Sequence, residues 1–136
     1  SPTVIWPTAG VITLEFAKTS PYQLFHTGLD IAGALDTSIY PAMDGKVIYA
    51  GEIFWGYGKH VIIDHGDNIT TIYGHMNKIH VYEGQQVFTT DSIGTQGRTG
   101  WATGVHLHFE IRIYNIPVNP RVFLDTEEET TTDNSE

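Results

Sequence analysis

The sequence predicts an all-β domain of antiparallel strands, and three observations carry the prediction. Short runs rich in Val, Ile, Thr, Tyr and Phe recur along the chain. Glycine-bearing connections of hairpin length separate them. No stretch keeps a 3.6-residue apolar period over ten or more residues, as a helix facing a core would. Closely spaced strands joined in this way argue for an antiparallel all-β architecture.

The elements follow in order. KVIYAGEI (46–53) and HVIIDHG (60–66) read as two strands joined across WGYG, and ITTIYGHM (69–76) follows a DHGDN turn. QQVFTT (85–90) comes after YEG. GTQGRTGWATG (94–104) carries four glycines and reads as a loop able to fold over the face of the next strand. That strand is VHLHFEIRI (105–113). The final twelve residues, DTEEETTTDNSE, have no apolar anchor and are expected to be a disordered tail without a site. The expected organisation is one domain over 1–124 and an acidic tail over 125–136.

Composition narrows the function classes. With 136 residues the chain can bury a core without covalent staples. The formal net charge of −9 and scattered lysines and arginines weigh against a nucleic-acid partner. No apolar run approaches the ~18 residues of a membrane span. The absence of cysteine removes disulfides, thiolate metal sites and thiol nucleophiles, and leaves the redox compartment open. The opening SPTVIWP shows no charged-then-apolar leader, so the sequence reads as a processed product or an excised domain.

Seven histidines stand out. In GVHLHFEIRI (104–113), His106 and His108 project from one face of a strand while Leu107 and Phe109 project from the other. In FHTGLDIA, His26 and Asp30 stand four apart; an extended chain would hold them ~13 Å from each other. A turn at Gly28 is expected to bring them together. Zinc takes imidazole nitrogen and carboxylate oxygen, and a catalytic site uses three protein ligands. His26, Asp30 and one histidine of the H-x-H pair supply that set. The other is left beside the ion, where it can orient or deprotonate a water made more acidic by the metal. His75 closes the strand in TTIYGHM and reads equally well as a turn residue. His60, His65 and His80 read as structural, with His65 shaping a tight turn near Asp64 and Asp67.

In this order, HTGLD, IIDHGDNITTIYGHM and GRTGWATGVHLHFEIRI followed by PVNP resemble the lysostaphin/LytM family of zinc endopeptidases, which cut peptide cross-links of bacterial cell walls. The resemblance runs from about Trp6 to Leu124. It implies His26, Asp30 and His108 as ligands of one zinc ion, and His75 and His106 as the catalytic histidines. It also implies a largely antiparallel sheet of the lysostaphin-like (duplicated hybrid motif) type. An extended peptide would lie in a groove along one face, with 94–104 as one wall. The resemblance makes Gly56-Tyr57-Gly58 and Asn119-Pro120 architectural. Val105 stands where many relatives carry proline. Tyr22, the nearest candidate for an oxyanion-stabilising tyrosine, stays outside the catalytic set.

The resemblance therefore implies a zinc metallo-endopeptidase acting on peptidoglycan cross-link peptides. Its expected setting is extracellular or cell wall, as an autolysin or bacteriocin-like lysin, or a phage virion. The alternative is a non-catalytic family member that binds wall peptides or activates another hydrolase. A β-domain with an ordinary histidine-rich surface is the third reading.

Overall fold

The computed structural model describes residues 4–19 and 25–125. Tyr22 and the stretch after Asp125 therefore lie outside the described residues. Among the described residues the regular structure is β, apart from one short 3-10 turn at Pro120–Val122. In chain order the strands are β1 (Val11–Leu14), β2 (Leu29–Ala32), β3 (Ser38–Ile39), β4 (Gly45–Glu52), β5 (Lys59–Asp64) and β6 (Ile69–Gly74). They continue with β7 (Met76–Ile79), β8 (Gln86–Val87), β9 (Gly94–Gln96), β10 (Leu107–Ile113) and β11 (Ile116–Val118).

The larger sheet has eight strands in the order β1-β2-β10-β6-β5-β4-β8, with β11 also pairing β10. The smaller one runs β3-β9-β7. All pairings are antiparallel, as expected from the spacing of the runs. One apolar cluster joins the two sheets. From the larger come Leu29, Ile31, Val61, Ile63, Tyr73, Leu107 and Phe109; from the smaller, Ile39 and Met76. Leu107, Phe109 and Ile111 are successive same-face positions of β10. That strand therefore keeps one face in the core and frees the other for His108 and Glu110.

Three expectations are corrected in detail. The run 69–76 is not one strand. His75 has φ +60°, which takes the chain out of β6 and into β7 of the other sheet. The 85–90 run pairs only over β8, because Phe88 N donates to Asp91 Oδ2 and Asp91 N to Phe88 O, closing a turn. The segment 94–104 is not all loop, since its first three residues form β9, central in the smaller sheet.

Register positions the site. In β10, His108 lies between Asp30 of β2 and Gly74 of β6. Directly opposed residues of antiparallel strands share a face. Asp30 and His108 are thus brought together by backbone pairing.

Candidate metal centre and cleft

His26 reaches the same point from the segment that leads into β2. Its Nε2 lies 3.0 Å from Asp30 Oδ1, and His108 Nδ1 lies 2.9 Å from that same oxygen. The approach depends on Gly28, as expected, although for a different reason. Its φ is not in the left-handed region. Instead, a Cβ there would stand 2.4 Å from Phe109 O, so only glycine lets the chain pass so close to β10.

The other nitrogen of each ring faces an acceptor. His26 Nδ1 is 3.0 Å from Glu15 O, and His108 Nε2 is 2.9 Å from Glu110 Oε2. A carbonyl and a carboxylate can only accept, so those nitrogens carry the protons. In each neutral ring the remaining nitrogen then turns a lone pair toward the Asp30 carboxylate. Two lone pairs and an anionic oxygen meeting at one point repel unless protons or a cation lie between them. One ligand atom from each of His26, Asp30 and His108 falls within 4.8 Å of the others. Two imidazoles and a carboxylate are a donor set suited to zinc.

Electrostatics at the site reflect that crowding. Burial would raise the Asp30 carboxyl, but hydrogen bonds with His108 and His26 outweigh it and hold it well below the usual carboxylate range. Burial would lower the His108 imidazole, but Asp30 and Glu110 push it up to about 9. Glu110 falls to about 2, because its partners, His108 first, overcome the cost of its burial.

The two remaining histidines of the expected set are held by 94–104. His75 Nδ1 donates to Thr99 O at 2.8 Å, and His106 Nδ1 to Gly104 O at 3.0 Å. Both rings therefore keep Nε2 as the basic atom. His106 Nε2 is 3.5 Å from Asp30 Oδ2, and the His75 and His106 ring centroids are 4.8 Å apart. The His75 imidazole is lowered to about 4, by burial first and then by the neighbouring His106 and His108. It is a neutral base at ordinary pH.

A cleft of about 380 Å³ opens above these groups, lined by Thr27, Tyr57, His75 and His108 with the exposed Trp55 and Trp101 on its rim. The two rim tryptophans stand on loops that lock together. Trp101 N donates to Gly56 O at 3.0 Å. Cβ atoms at Gly58 or Gly100 would come within 2.4 Å of the facing backbone. The segment 94–104 is thus a fixed wall.

The other histidines sit elsewhere. His60 stacks on Tyr49 and is tilted against Tyr57. His65 bridges Asp44 O and Thr71 Oγ1, tying its turn to β6. His80 joins no ring or metal cluster among the described residues.

Sequence reasoning missed Glu110, Tyr57 and Thr27. Tyr57 sits in sequence as part of the WGYG turn, yet its hydroxyl donates to Glu110 Oε2 at 2.5 Å, and Thr27 Oγ1 donates to the same oxygen at 2.7 Å. A signal existed for Glu110: in H-x-H-x-E-x-R, strand alternation puts His108, Glu110 and Arg112 in a row on one face of β10, with His106 just ahead of them.

Residues 24–120 match the profile of Peptidase family M23. The chain is 41% identical over 119 residues to a Pseudomonas aeruginosa protein named Lipoprotein NlpD/LppB homolog, covering 88% of this chain and 39% of that protein. It is 38% identical over 119 residues to the Escherichia coli Murein hydrolase activator NlpD, covering 88% of this chain and 30% of the relative. The chain thus spans well under half the length of these curated relatives. Among solved structures, a zinc-containing peptidase from Vibrio cholerae superposes with a TM-score of 0.80 at 32% identity, covering 88% of this chain and 39% of that one. An all-β fold, an ordered set of histidine motifs and a profile match over most of the chain agree, and the chain belongs to peptidase family M23.

Proposed function

We propose that this domain is a zinc-dependent endopeptidase that hydrolyses peptide cross-links of peptidoglycan. The single observation that carries this reading is the donor set, in which His26 Nε2, Asp30 Oδ1 and His108 Nδ1 converge with the far nitrogen of each ring already satisfied. His26, Asp30 and His108 would hold the zinc. When bound, the ion polarises the scissile carbonyl and makes the attacking water more acidic.

The remaining chemistry falls to this chain's own groups. An Nε2 of His75 or His106 takes a proton from the attacking water as its oxygen bonds to the carbonyl carbon. The protonated ring then hydrogen-bonds the oxyanion and passes the proton to the departing amine as the C–N bond breaks. Thr99 O and Gly104 O keep both rings turned with Nε2 outward throughout. The extended cross-link peptide would run along the cleft beneath Trp55 and Trp101.

The curated relatives favour a second reading, and their names back it better than they back a peptidase. The Escherichia coli relative is called a murein hydrolase activator. In that reading the domain uses the same cleft to bind a wall peptide or another hydrolase and cleaves nothing itself. The lipoprotein name of the Pseudomonas aeruginosa relative supports a cell-envelope setting over the phage particle also expected from sequence.

One experiment separates the two readings. Purified peptidoglycan is incubated with the zinc-loaded domain, with and without chelator, and released muropeptides are identified by mass spectrometry. The peptidase reading expects one zinc per chain and new peptide ends that vanish with chelator. Intact cross-links, together with faster lysis by an added murein hydrolase, would replace it with the activator reading.

A further inference from the structure

The role of Glu110 rests on the reading that His26, Asp30 and His108 hold a metal ion. Glu110 lies in the middle of β10 with no exposed surface. An ionised carboxylate there is expensive to bury unless every lone pair finds a donor. Its donors are all in place. Oε2 takes Thr27 Oγ1 at 2.7 Å, Tyr57 OH at 2.5 Å and His108 Nε2 at 2.9 Å; Oε1 takes Arg112 Nε at 2.8 Å. Arg112 Nη2 also reaches the Tyr57 hydroxyl at 3.3 Å.

We propose that Glu110 is a positioning residue that fixes His108 with Nε2 protonated and Nδ1 presented to the ion, and that Thr27, Tyr57 and Arg112 hold its carboxylate in that role. The strand geometry makes this economical. Glu110 follows His108 by two residues, so both side chains leave β10 on the same face and meet without any loop to arrange them. The imidazole has a second acceptor to turn toward, since Asp30 Oδ1 lies 2.9 Å from its Nδ1. A ring that gave its proton to Asp30 would point a protonated nitrogen at the ion. Glu110 removes that alternative by accepting the hydrogen bond from Nε2 on the far side of the ring. Acceptors behind a ligating histidine commonly tune metal affinity by ~10–100-fold.

The competing view makes Glu110 only the partner of Arg112 and Tyr57 in a buried polar network. The two views differ in what Glu110→Gln does. The amide keeps the shape of the side chain but loses its charge. If Glu110 positions His108, zinc affinity measured by competition with a chromophoric chelator falls ~10–100-fold. In cadmium-loaded protein with labelled histidine, the His108 ring changes from the Nδ1-bound, Nε2-protonated tautomer to a mixture of Nδ1- and Nε2-bound forms. Tyr57→Phe removes one donor to Glu110 and leaves the ring in place. It should weaken zinc a few-fold, and it serves if Glu110→Gln fails to fold. If only structure is at stake, the melting temperature of the metal-free variants drops while zinc affinity stays within twofold and the tautomer is unchanged. That result overturns the proposal and leaves the metal site standing. A parent protein that takes up no zinc would overturn both.

Discussion

The two halves of the cleft are held by different kinds of structure. The ligand half is built mostly on strand pairing. Asp30 and His108 oppose each other across β2 and β10, and buried Glu110 backs the second ring from the same strand. His26 alone comes from a connection, its ring held by Glu15 O. The proton half is built on connections. His75 stands at a positive-φ break between two sheets, His106 just ahead of β10, and backbone carbonyls of 94–104 orient both rings. Pairing residues hold their places through many shared hydrogen bonds, whereas a loop carbonyl holds a ring through one. The metal site should therefore withstand damage to the loop, while the basic rings should not.

The largest effect should come from the ligand half itself. His108→Ala removes a ligand and the link to Glu110, so bound zinc and any wall-lytic activity should both be lost, checked by elemental analysis and a turbidity assay. His106→Ala and His75→Ala should separate the halves. Zinc should remain near one per chain while hydrolysis drops by ~10²–10⁴, the usual contribution of a positioned acid–base group. If either variant lost its zinc together with its activity, the division drawn above would fail.

Legibility in the sequence divides along the same line. The antiparallel all-β fold and its longer strands were readable because alternating runs and hairpin-length turns are local signals. The short strands β1, β2, β3, β7, β9 and β11 were not, since two to four residues are too few to show a period and are held by their partners. The pairing of His106 and His108 on one face followed from strand alternation alone. That His26 and Asp30 should meet them was suggested by residue types, and the ligand set came from the family resemblance. Neither signal contained the register of Asp30 against His108. The carbonyls of Thr99 and Gly104 were invisible for a further reason: main-chain acceptors carry no residue code. Tyr57 was misread because a glycine on each side looks like a turn, and its hydroxyl reaches Glu110 only in three dimensions.

Acidity gives the next test of the comparison, and it should touch the halves unequally. In the metal-free protein His108 is pushed up to about 9, while His75 is lowered to about 4. A doubly protonated ring cannot ligate, so the ion and a proton compete for His108. Apparent zinc affinity should rise up to ~tenfold per pH unit as pH climbs toward about 9, and level off above it. Between pH 5 and 9 His75 stays neutral and contributes nothing to that slope. Calorimetry in buffers of different ionisation enthalpy would count the protons released. A flat affinity from pH 6 to 9 would mean that His108 is not held as its neighbours imply.

The smallest effect should come from the wall. Gly100 has φ +71°, and a Cβ there would lie 2.4 Å from both Gly56 O and Gly58 N. Gly100→Ala must therefore open the contact between the two loops, at a stability cost of about 1–2 kcal/mol for a side chain forced into the left-handed region. Opening it moves the neighbouring Thr99, whose carbonyl orients His75 and whose hydroxyl receives Lys59 N and donates to Met76 O. Hydrolysis should fall by ~tenfold, because a base displaced by a fraction of an ångström loses alignment before it loses reach. Zinc affinity should stay within twofold, since no ligand and no strand pairing of β2 or β10 passes through Gly100. Equal losses of zinc and activity would show the wall and the metal site to be one cooperative unit. Unchanged activity would show that the loop carbonyl does not govern His75.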